Sequence, residues 1–139
     1  MDWLEAIPLA YQLCKDSEAT VRSAALDLLA DIAPITEQAA VLEWTWQQTD
    51  EEDLTRAQRA LIAITQRAAK PSEGVRVILA ALEKAPPAVQ VRQLRLLTRL
   101  GDADSLACAH RLAASRDAAV AAAAKTAVAR WPKPKDEKK

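Results

Sequence analysis

LLADIA at 28–33, ALIAIT at 60–65, LLTRLG at 96–101 and AVARWP at 127–132 are four short apolar cassettes whose starts lie 32, 36 and 31 residues apart. Recurrence at a period of about 20–50 residues marks a repeat protein, in which each unit buries its apolar side against the next. The first and last units make the repeat explicit. A shift of 99 residues lays Ile7 on Leu106, Ala10 on Ala109, Leu13 on Leu112 and Val21 on Val120. The same register pairs Ala24 and Ala25 with Ala123 and Ala124, Leu29 with Val128, and Ile32 with Trp131. Chance supplies a few such matches in a chain that is 50% hydrophobic. It does not readily place them all on the same helical faces.

Working outward, apolar residues at three- and four-residue spacing predict eight helices, near 3–14, 18–33, 36–48, 51–69, 72–84, 87–100, 103–114 and 117–131. Asp50 is placed to cap the fourth, with Glu51, Glu52 and Asp53 in a first turn that favours negative charge. Pro71 with Ser72 opens the fifth, Pro86 and Pro87 open the sixth, and Gly101 ends it. Pro132 and Pro134 stop the eighth. Pro8 is irregular: inside a helix it costs about 3 kcal/mol, so the first helix is expected to start near Leu4 or to kink. Connections of two to five residues make neighbouring helices antiparallel. The expected fold is therefore all-α, a solenoid of four antiparallel helix hairpins stacked on one another.

Composition is consistent with this. The chain of 139 residues suits one domain over 1–132, with units near 3–33, 36–69, 72–100 and 102–131. Two Gly, one Tyr and no Phe, with abundant Ala, Leu, Arg and Glu, argue against a β-sandwich. The tail 133–139, KPKDEKK, has nothing to bury and is expected to be disordered. No apolar run is long enough for a transmembrane helix, and MDWLEAIPLAYQL lacks the basic start of a signal peptide. A complete chain would on this basis be cytoplasmic, whereas an excised domain would leave the cell envelope open. Formal net charge is zero, which implies no global field toward nucleic acid or membrane.

The unit at 4–33, LEAIPLAYQLCKDSEATVRSAALDLLADIA, resembles a HEAT repeat. It has a proline early in the first helix, a turn aspartate (Asp16), and a Val21–Arg22 pair leading into AA-x-x-LL. The unit at 101–132 keeps the pattern but has Ser115 and Ala121 in place of the Asp and Arg; 72–100 keeps Val91–Arg92, and 36–69 is the most divergent. The resemblance covers about residues 3–132 and is to HEAT-like modules of large bacterial multidomain proteins in particular. It implies a right-handed α-α superhelix acting as a non-catalytic protein-binding scaffold. In that family the turn Asp and following Arg form a ladder between units; here Asp16 and Arg22 start one that later units do not continue.

Nothing in the chain points to catalysis. His110 is the one histidine, without Cys or carboxylate at ligand spacing, so neither a metal site nor a cofactor is expected. Motifs of serine hydrolases, phosphate loops and zinc proteases are absent. Cys14 and Cys108 are expected to be buried, reduced thiols, since a disulfide would have to span the stack.

The candidate binding residues are basic and aromatic. Arg92, Arg95 and Arg99 share a narrow arc of the sixth helix, as do Arg56, Arg59 and Arg67 on the fourth. These second helices line the concave side of HEAT-like stacks, and their guanidinium groups suit an acidic protein or peptide, a phosphate or nucleic acid. The competing reading is an ordinary solvated face, partly offset by Asp27 and Asp31. Nucleic acid is the lesser alternative, because no aromatic side chains interleave with the arginines. Trp44 and Trp46 point about 160° apart on the third helix. One is expected in the core and the other partly exposed as a candidate anchor. The alanine-rich helix at 117–131 either offers a face for another domain, further repeats or self-association, or simply lets the seventh helix approach closely.

Overall fold

A computed structural model describes residues 3–132, all in helices and short connections, with no strand among them. The helices are α1 (Trp3–Leu13), α2 (Ala19–Ile32), α3 (Gln38–Gln47), α4 (Glu51–Gln66), α5 (Pro71–Glu83), α6 (Pro87–Leu100), α7 (Ala103–Ala113) and α8 (Ala118–Ala129). A short 3₁₀ turn, Ile35–Glu37, precedes α3. The fold class is all-α. The expected tail at 133–139 and the role of Pro134 lie outside the described residues.

Each cassette occupies the last turns of an even-numbered helix: 28–33 closes α2, 60–65 lies in the last half of α4, 96–101 closes α6 and 127–132 closes α8. The boundaries follow the capping chemistry. Asp50, Asp102 and Asp117 accept the N–H of the third helical residue, from Asp53 at 3.0 Å, Ser105 at 3.3 Å and Val120 at 3.0 Å. Pro87 stands at the first position of α6, where its missing N–H costs nothing. Gly101, at φ 67°, takes the left-handed conformation that ends α6 and donates to Leu97 O. Helix α4 stops at Gln66 rather than running to 69: the N–H groups of Arg67 and Ala68 turn to Ile64 O and Thr65 O in a tighter last turn. Pro8 sits inside α1, which begins at Trp3.

The chain divides into two compact units, Met1–Gly74 and Val75–Lys139. In the first, α1 packs on α2, α3 on α4, and α2 on α4. The core is built from Ile7, Ala10, Leu26, Leu29, Val41, Leu61 and Ile64. In the second, α7 packs on α8, and α6 packs on both. Ile78, Leu82, Leu96, Leu97, Leu112 and Val120 are buried there.

The 99-residue register has a structural counterpart. Ala10 and Ala109 are both fully buried, as are Ala25 and Ala124, which allows close approach in the α1–α2 and α7–α8 hairpins. The turns agree as well. Asp16 Oδ1 accepts the N–H of Glu18 at 2.8 Å, and Ser115 Oγ accepts that of Asp117 at 3.1 Å. Ser115 therefore does the work of the aspartate it replaces. Other pairs in the register match less closely: Leu29 is buried, for example, while Val128 is only half-buried.

Candidate functional site

The arginines of the first unit are drawn into its own structure. Arg56 Nη1 binds both carboxylate oxygens of Asp27 at 3.0 and 2.9 Å, and its Nη2 reaches Glu52 at 3.4 Å. Hydrogen bonding to Asp27 is the main reason its pKa is raised above the usual arginine value. Arg67 donates from Nη1 to Ala33 O at 2.6 Å and from Nη2 to Ala30 O, closing the C-terminal end of α2. Arg22 donates from Nε to Asp53 Oδ2 at 2.9 Å and from Nη1 to the carbonyls of Asp16 and Ser17. It thus uses the backbone of Asp16, not its carboxylate, and its ionic partner belongs to α4. The contact joins the first hairpin to the second, where a role confined to one hairpin was expected.

Arg59 is exposed and lines, with Arg56, Glu51, Glu52 and Thr55, an open groove of about 510 Å³. Three of those five lining residues are acidic or already paired, so the fourth-helix arc is less basic than its sequence implies. In the second unit, Arg95 and Arg99 are exposed and Arg92 is half-buried on α6. Beside them Val91 is 37% exposed, whereas Leu94 and Leu97 are buried. A second groove, about 250 Å³, runs between α5 and α7. Ion pairs cross it: Arg111 grips Glu83 at 2.7 and 3.0 Å, and Arg76 faces Asp104 at 3.6 Å.

Trp44 and Trp46 are both half-buried: the partial exposure expected of one is found in both, and neither is the core ring expected of the other. Thr45 between them is fully buried and donates to Val41 O at 2.6 Å. With Thr45 pointing inward, each tryptophan lies about 100° to one side, at the edge of the core. His110 is exposed on α7. Cys14 and Cys108 are free, buried thiols whose pKa values burial pushes up to about 11. No group of three or more His, Cys, Asp or Glu among the described residues is arranged to hold a metal ion. No described helix is long and apolar enough to cross a membrane.

A further feature emerges once the two units are known. Met1–Gly74 holds thirteen acidic and six basic residues, and Val75–Lys139 holds six acidic and thirteen basic. Zero net charge therefore conceals a formal −7 on one unit and +7 on the other. The signal was present in the sequence, but it appears only when charges are counted either side of Gly74. The expectation of no field rests on the sum over the chain and does not extend to either unit.

No protein-family model matches this chain, nor does any curated protein or any solved structure.

Proposed function

We propose that this chain is a HEAT-like helical-repeat module that binds an acidic protein surface through its Val75–Lys139 unit, with no catalytic role. The observation that carries this reading is the charge division. Thirteen basic residues against six acidic in the sequence of this unit, nine against four of them among its described residues, favour a negatively charged partner. The repeat supports a binding role. Successive even-numbered helices pack together within each unit, α2 on α4 and α6 on α8, which supports a reading as stacked helix hairpins. Such stacks present extended surfaces rather than deep clefts, and the two grooves found here are open and lined by charged side chains. The exposed Arg95 and Arg99, with Arg92 beside them, are the residues proposed to read the partner.

Nucleic acid is the second reading, and the same basic unit favours it. Against it stand the seven excess acidic charges on Met1–Gly74, which repel a polyanion. The test is capture from lysate with and without nuclease, comparing wild type with Arg92→Glu/Arg95→Glu/Arg99→Glu. Nuclease-resistant capture of acidic proteins, lost in the triple variant, supports the module reading. Capture abolished by nuclease supports the second reading, and equal capture by both chains overturns the role of α6.

A further inference from the structure

Internal pairing sharpens the charge division rather than cancelling it. In the second unit the four described carboxylates are all in use: Glu83 by Arg111, Asp104 by Arg76, and Asp102 and Asp117 as helix caps. The side chains of Lys84, Arg116, Lys125 and Arg130 are exposed, and no hydrogen bond or ion pair engages them among the described residues. The first unit is the mirror case. Arg22, Arg56 and Arg67 are held by carboxylates and carbonyls. The carboxylates of Glu5, Glu18, Asp31, Glu43 and Glu73 are exposed and unengaged among the described residues.

We propose that α8 docks the α1 face of a second copy of this chain, so that the basic unit of one protomer meets the acidic unit of the next. Charge complementarity selects this occupant. A polyanion satisfies only the basic unit, and a cationic protein only the acidic one. Further copies satisfy both with one kind of contact, the basic unit of each meeting the acidic unit of the next. The shapes are compatible. Exposed Ala118, Ala122 and Ala129 share one arc of α8 with Lys125, which stands between the alanines, and Arg130 follows at the C-cap. On α1, Glu5, Pro8, Leu9 and Gln12 form one exposed stripe, from which Leu9 projects at 44% exposure. Leu9 packs on the alanines while Glu5 meets Lys125 or Arg130. The two faces differ, so the contact is heterologous and propagates from copy to copy.

This inference rests on the proposed binding of an acidic protein surface and names that surface. The full chain is tested by sedimentation velocity at about 0.01 M and about 0.15 M ionic strength, where the screening length falls from roughly 30 to 8 Å. Mass that rises with concentration at the lower salt, weakened about tenfold or more at the higher, is expected. Lys125→Glu/Arg130→Glu and Glu5→Lys/Leu9→Lys are each expected to remain monomeric with unchanged helical circular dichroism. Their mixture is expected to associate, because an intact acidic face then meets an intact basic one. A wild type monomeric at every concentration, association untouched by either variant, or a mixture that stays monomeric overturns the proposal. A chain that stays monomeric yet captures acidic proteins overturns this inference alone. Loss of both overturns the module reading as well.

Discussion

Arg22 and Arg76 each face a carboxylate, at 2.9 and 3.6 Å, but in different surroundings. The Asp53 side chain is only 7% exposed, whereas Arg76 and Asp104 are 70% and 51% exposed. Removing Arg22 strands a buried carboxylate and frees two carbonyls, so Arg22→Ala is expected to lower stability by about 2–3 kcal/mol. Arg76→Ala is expected to stay within about 0.5 kcal/mol. Urea titration of the two variants checks the contrast. The thiols give a pH prediction. Burial raises Cys14 and Cys108 from 9.0 to about 11, and burial with the Glu37 hydrogen bond also raises Tyr11. A raised acid is protonated more firmly in the folded state. The stability it contributes is therefore fully present below pH 9.0 and is lost as pH rises toward about 11. The urea midpoint is expected to fall across that interval, and both thiols to react slowly with a maleimide until the chain unfolds. That the cysteines are buried was legible from their helical positions. The partner of Arg22 was not, since a contact 31 positions away depends on how α2 lies against α4.

At the scale of the element, α5 begins in close quarters. A Cβ at Gly74 would lie 2.8 Å from Thr65 Cγ2 and 3.3 Å from Gln38 Nε2. Gln38 itself binds Thr65 Oγ1 and Gly74 O, both at 3.0 Å. Glycine to alanine in an unobstructed helix gains about 1 kcal/mol. Here Gly74→Ala is expected to lose about 1–3 kcal/mol by overpacking. Thr65→Ser removes the obstructing methyl and keeps the hydroxyl, so a double-mutant cycle on chemical denaturation is expected to show coupling. Gly101→Ala, forced into a left-handed backbone, is expected to cost about 1–2 kcal/mol by the same measurement. Local chemistry announced most helix ends. Asp50, Pro71, Pro87 and Gly101 mark boundaries that the structure places within a residue or two. The end of α4 was hidden because Arg67 looks like a good helix former, and nothing local announces that its N–H and that of Ala68 close a tighter last turn. The tryptophans were misjudged for a related reason. Their 160° separation was clear, but which residue between them points inward depends on the packing of α3 against α4.

For the whole molecule, the repeat was legible and the electrostatics were not. The four cassettes fall at the ends of α2, α4, α6 and α8, because helices of similar length joined by short turns recur at similar intervals. Net charge, taken over 139 residues, averaged away the feature now central to the proposed function. The fourth-helix arginines, attractive in sequence, are largely committed to Asp27, Glu52 and the end of α2. The candidate surface thereby shifts toward Val75–Lys139, where the four described carboxylates are engaged and basic side chains remain exposed.

The measurement that bears most directly on this is nuclease-treated capture with three baits compared side by side: wild type, the α6 reversal at Arg92, Arg95 and Arg99, and a reversal of Lys84, Arg116, Lys125 and Arg130 to Glu. Acidic proteins, further copies of this chain among them, are predicted to be held by wild type at low salt and lost from at least one reversal. Equal capture by all three baits would contradict a binding role for the basic unit.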